Sequence, residues 1–129
     1  MATFKRFEEI ESWQLARELT NRIYQVTGDG PFAADFGLKD QIRRASVSVM
    51  ANIAEGFERN GNREFIHFLS IAKGSVGEVR ALLYVAIDQN YIEQTQFQEL
   101  VDQCQTISRK LSGLMKYLRQ TERKGAKFD

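Results

Sequence analysis

The stretch Phe97-Gln98-Glu99-Leu100-Val101-Asp102-Gln103-Cys104-Gln105-Thr106-Ile107-Ser108-Arg109-Lys110-Leu111-Ser112-Gly113-Leu114-Met115-Lys116-Tyr117-Leu118 decides the fold class. Phe97, Leu100, Cys104, Ile107, Leu111, Leu114 and Leu118 recur by threes and fours. That is the interval an α-helix of about 3.6 residues per turn brings onto one face. The spacing predicts a helix over 95–122 with a single apolar stripe, and a stripe of that length needs partner helices to bury it. Thr95 and Gln98 have the spacing of a capping box at its start.

The rest of the chain supplies those partners. Phe65, Leu69, Ala72, Val76, Val79, Leu83 and Ala86 repeat the pattern. So do Leu38, Ile42, Ala45, Val49, Asn52 and Ile53, and, nearer the start, Ile10, Trp13, Ala16, Leu19, Ile23 and Val26. Turn signals separate the segments: Thr27-Gly28-Asp29-Gly30-Pro31, then Arg59-Asn60-Gly61-Asn62, then Gln89-Asn90-Tyr91-Ile92-Glu93-Gln94. Asn62 is placed to cap the helix that follows it. Alternation at period two is sustained nowhere, and Pro31 is the one proline in 129 residues. Helix interiors exclude proline because it lacks the N–H and clashes with the preceding turn. The expectation is one all-α domain over 1–129, an up-down-up-down antiparallel four-helix bundle with helices near 8–27, 36–59, 63–89 and 95–122 and a tail over 123–129.

Two helices carry more apolar surface than such a bundle requires. Val47, Met50, Ala54 and Phe57 form a second stripe on the second helix, and Phe68, Ile71, Leu82 and Val85 one on the third. Either a thick core absorbs both faces or another copy of the chain covers them, since a monomer seldom exposes a contiguous apolar patch above a few hundred Å². Val47, Met50, Phe57, Phe68, Ile71 and Leu82 are the candidate interface residues.

Composition excludes several classes of function. No apolar run approaches the roughly 18–20 residues of a membrane span, and the opening Met1-Ala2-Thr3-Phe4-Lys5-Arg6 leads straight into Glu8, Glu9 and Glu11, unlike a signal peptide. One cysteine, Cys104, and one histidine, His67, supply neither an internal disulfide nor a zinc ligand set. Glu64-x-x-His67 has the form of half a di-iron motif, but such sites need the motif twice. Cys104 lies in an aliphatic stripe that disfavours its thiolate. The serines have no second histidine or placed lysine beside them, and no Walker-type phosphate loop occurs. The chain therefore reads as a reduced, cytoplasmic, non-enzymatic protein with no cofactor, no metal, no membrane partner and no evident small-molecule substrate.

Charge offers two candidate sites. Arg43-Arg44 looks at first like a phosphate clamp, but equal rise along antiparallel helices places Glu78 level with it. A structural ion pair of Glu78 with Arg43 or Arg44 is then expected, with Gly74 and Gly77 making room for the arginine stems. The second site is the end of the last helix. Arg109, Lys110, Lys116, Arg119, Arg123, Lys124 and Lys127 stand there against Glu122 alone, in a chain of net charge +1. Lys116, Arg119, Arg123 and Lys127 follow three-four spacing offset from the core stripe. They make one basic face, either a solvated helix end that complements the dipole or a phosphate-contacting surface. Lys116, Arg119, Arg123 and Lys124 are the candidate nucleic-acid residues, with Arg43 and Arg44 as the second choice.

Gln41-Ile42-Arg43-Arg44-Ala45, Asn52-Ile53-Ala54-Glu55-Gly56-Phe57 and Arg63-Glu64-Phe65-Ile66-His67-Phe68-Leu69 are similar to motifs of a known family, as are Ile71-Ala72-Lys73-Gly74-Ser75, Glu78 and Trp13-Gln14. Over roughly residues 4–120 the chain resembles the bacterial four-helix-bundle family, the 23S rRNA intervening-sequence or S23 proteins. The resemblance implies an up-down bundle that assembles as a homopentamer. It leaves the biochemical role open, because the family takes its name from genes within insertions of ribosomal RNA genes. The bundle also looks like the pentameric accessory protein of diversity-generating retroelements, which binds nucleic acid and a reverse transcriptase through a basic surface. Association with RNA or a nucleic-acid-bound protein is the expectation, with a protein-only scaffold as the alternative.

Overall fold

The three-four periodicity closes into helices wherever it was read, and their apolar faces meet in one core. In the computed structural model, which describes residues 4–125 and side chains as far as Thr121, a 3₁₀ turn at Phe7–Glu9 precedes α1 (Glu11–Val26). There follow α2 (Gly30–Ala34), α3 (Phe36–Glu58), α4 (Asn62–Asp88) and α5 (Gln94–Gly125). Among the described residues there is no strand. Leu19, Ile23, Ile42, Val49, Ile53, Leu69, Leu83, Leu100, Ile107 and Leu111 are fully buried, so each long helix contributes to the shared core.

Contacts between helices show their directions. Gln41 meets Glu78, Ser48 meets Ser75 and Phe57 meets Phe65, so residue numbers rise along α3 as they fall along α4. On the other flank of α4, Asn62 Nδ2 donates to Leu118 O at 3.1 Å and the Tyr84 ring meets Phe97 edge-on at 5.0 Å. α1 runs against both α3 and α5: Thr20 Oγ1 donates to Ser46 O at 3.1 Å, Arg22 pairs with Glu99 at 2.8 Å and Lys110 with Glu11 at 3.0 Å. The molecule is a helical bundle.

Its element boundaries depart from expectation at four places. The first break is not open loop, because Gly30–Ala34 forms the extra helix α2 with Pro31 at its start, where a missing N–H has no partner to lose. Phe32 from this turn is buried, stacked on Tyr91 at 5.2 Å. Asn62 is already the first residue of α4 and bonds to α5, while Gly61, at φ 92°, precedes the helix without a side-chain cap. The reciprocal cap of α5 lies two residues earlier than expected, with Glu93 N donating to Gln96 Oε1 at 3.0 Å. The helix itself runs to Gly125, past the anticipated end at 122.

One glycine is required by packing. A Cβ on Gly56 would fall 2.6 Å from Phe68 Cβ, so α3 and α4 approach closely there only because the side chain is missing. Gly74 and Gly77 are the opposite case, with nothing within 4 Å of a Cβ at either position.

Candidate nucleic-acid interface

The arginine pair of α3 is occupied within the chain. Arg43 turns toward α1: its Nε donates to Thr27 Oγ1 at 2.8 Å and its guanidinium lies 4.3 Å from the centre of the Tyr24 ring. Arg44 is exposed and pairs with Asp40 one turn back, at 2.9 Å. Glu78 is also exposed and accepts from Gln41 Nε2 at 3.2 Å. The expected ion pair of Glu78 with Arg43 or Arg44 is therefore corrected. Level matching was sound, but level is not azimuth. Arg43 is two residues beyond Gln41, about 200° further round the helix at 100° per residue, and so faces α1 rather than α4. Nor do the two glycines of α4 accommodate arginine stems, since both are exposed over open space.

The basic end of α5 is open. Lys116 and Arg119 are exposed, and neither belongs to an ion pair among the described residues. Arg123 and Lys124 continue the helix, with side chains outside the described set, and Lys127 lies outside the described residues altogether.

A further pair of cations lies on α4, where sequence reasoning placed none. Lys73 and Arg80 line a furrow of about 660 Å³ between α4 and α5, together with Ser70, Gly77, Tyr84 and Ser108. The furrow's lining contains no carboxylate. Cys104 forms its inner wall, fully buried, and burial pushes the thiol up to about 12 while the charge of Arg80 pulls it back in part. Such a thiol stays protonated and inert near neutral pH. The signal for this furrow was present as Lys73, Gly77, Arg80 and Tyr84 at helical spacing, on the flank of α4 away from its second apolar stripe.

That apolar stripe faces the α3 side. Val47 (40%), Ile71 (39%) and Val85 (42%) are exposed there, while Phe68 and Leu82 are half-buried. Met50 and Phe57 are half-buried against the core. The candidate interface residues thus divide, with Val47 and Ile71 on the surface and the other members partly absorbed by the core.

Residues 8–113 match the family model of the 23S rRNA-intervening sequence protein. The chain belongs to that family. Among solved structures, the chain is similar to a protein of unknown function from the S23 ribosomal protein family of Bacteroides thetaiotaomicron, whose crystal structure is at 1.70 Å resolution. The two share 25% identity and superpose with a TM-score of 0.75, over 81% of this chain and 98% of the other. No curated protein matches the chain. Lys73 and Arg80 lie within the matched span, whereas Lys116 and Arg119 follow it. Among the described residues no helix is long and apolar enough to cross a membrane, and no group of three or more His, Cys, Asp or Glu could hold a metal ion.

Proposed function

We propose that this protein is a non-enzymatic, cytoplasmic homo-oligomer, a ring of five up-down-up-down bundles, that associates with RNA or a ribonucleoprotein. The observation that carries the RNA reading is a set of cations that have no carboxylate partner among the described residues: Lys73 and Arg80 on α4, Lys116 and Arg119 on α5. They belong to a chain whose family is named for an intervening sequence of 23S rRNA. Free lysine and arginine side chains neutralise phosphates and release counterions, which supplies affinity without sequence specificity.

Self-association is supported by the exposed apolar flank of Val47, Ile71 and Val85, which water disfavours and a second copy would cover. Assembly and RNA binding reinforce each other. A few screened surface charges hold RNA weakly at physiological salt, but several copies on one ring raise the affinity by avidity when one RNA spans them.

Light scattering should return five times the 14.8 kDa chain mass. A mass of one chain would overturn the assembly, and a dimer would overturn the ring while keeping the interface. Binding to single-stranded RNA should be measurable at low salt and fall steeply as salt rises. No binding by the assembled protein at low salt would decide for a protein-only scaffold.

A further inference from the structure

The furrow between α4 and α5 combines features that point to a ligand with an anionic backbone and planar groups. Lys73 and Arg80 stand on one side, with no acidic residue in the lining to neutralise them. Seven residues of helix separate them by about 10 Å, the length of roughly three stacked nucleotides at about 3.4 Å each. Gly74 and Gly77 lie on the same stretch and leave the helix backbone uncovered, with nothing within 4 Å of a Cβ at either. No packing contact among the described residues explains them, although a glycine within a helix is unfavourable relative to alanine. Tyr84, 51% exposed one turn beyond Arg80, lines the furrow and packs against Phe97 in a T-shaped pair with ring centroids 5.0 Å apart.

We propose that the α4–α5 furrow holds a single strand of RNA, with Lys73 and Arg80 on its phosphates, Gly74 and Gly77 admitting its backbone, and Tyr84 stacking on a base. The inference rests on the RNA reading above and makes α4, rather than the end of α5, its main contact. A single strand fits the observations better than a duplex. A furrow between helices packed about 8–10 Å apart is narrow, and the bases of a duplex are already stacked and offer nothing to Tyr84. Ser108 adds a hydroxyl along the same path, while the Ser70 hydroxyl already donates to His67 O at 2.7 Å and offers its oxygen as an acceptor.

The test is fluorescence anisotropy with a fluorescein-labelled oligouridylate at low salt, using variants whose helix content and oligomer mass match the wild type. Lys73→Glu with Arg80→Glu should lower affinity at least tenfold. Lys73→Gln with Arg80→Gln should reduce the slope of log affinity against log salt by about 1.4, since each single-strand phosphate contact contributes about 0.7. Tyr84→Leu, which keeps an apolar contact for Phe97, should lose roughly 5- to 150-fold, the range of one base–aromatic stack, whereas Tyr84→Phe should bind like the wild type. Undiminished binding by Lys73→Glu/Arg80→Glu, with loss in Lys116→Glu/Arg119→Glu, would overturn the furrow and leave the RNA reading standing. No binding by the wild type would overturn both.

Discussion

Replacing Gly74 and Gly77 by alanine separates what the bundle needs from what its partner needs. Both positions are helical and exposed, and a Cβ added at either has no heavy atom within 4 Å. The substitution therefore meets no steric opposition within the chain and removes backbone entropy from the unfolded state. Each change should stabilise by about 0.5–1 kcal/mol, so the double variant gains roughly 1–2 kcal/mol. Urea unfolding at matched protein concentration measures this as a raised midpoint with an unchanged slope. The same variant should bind oligouridylate more weakly, because two methyl groups now stand where the RNA backbone approaches. Higher stability with weaker binding is the expected combination. A loss of stability would show instead that another part of the assembled protein lies against this face, and the RNA path along it would fall.

Gly56→Ala should act in the opposite direction, because its Cβ would meet Phe68 Cβ at 2.6 Å; overpacking of this kind costs about 1–3 kcal/mol, read as a lowered urea midpoint. Glu78→Ala should change stability by less than about 0.5 kcal/mol, since the exposed carboxylate accepts only from Gln41; a loss of several kcal/mol would return Glu78 to a buried pair. Cys104, with its thiol pushed up to about 12 from an ordinary 9.0, should resist a disulfide reagent in the folded protein at pH 8 and react fully in urea. The sign follows from the raised value: the neutral thiol's contribution to stability is complete below about 9 and declines as pH rises toward 12.

The bundle was legible because its information is one-dimensional. The stripe of Phe97, Leu100, Cys104, Ile107, Leu111 and Leu118 is buried as its spacing requires, and the break at Asn60-Gly61 falls where Gly61 takes φ 92°. Helix levels were legible too, since Gln41 does meet Glu78 and Ser48 does meet Ser75. What could not be read was which side of a helix a given charge occupies once three neighbours compete for it. Arg43 had Tyr24 on α1 and Thr27 just past its end as partners, and nothing in the spacing of α3 alone ranks them below Glu78. The furrow likewise depends on a neighbouring helix. Lys73 and Arg80 are sparse in the sequence and become a site only when α5 brings Ser108 alongside them. Gly74 and Gly77 are costly in a helix, yet nothing among the described residues comes within 4 Å of a Cβ at either, and that space is assigned to the RNA.

Ultraviolet cross-linking would locate RNA on the surface of the protein residue by residue. The assembled wild-type protein is irradiated with oligouridylate at low salt, digested, and its nucleotide-bearing peptides are identified by mass spectrometry. The main adduct is expected on the α4 peptide that contains Tyr84, suppressed by added salt and lost in Lys73→Glu/Arg80→Glu. Adducts confined to Tyr117 at the end of α5, or to Tyr24 beneath Arg43, with none on the α4 peptide, would contradict RNA binding in the furrow.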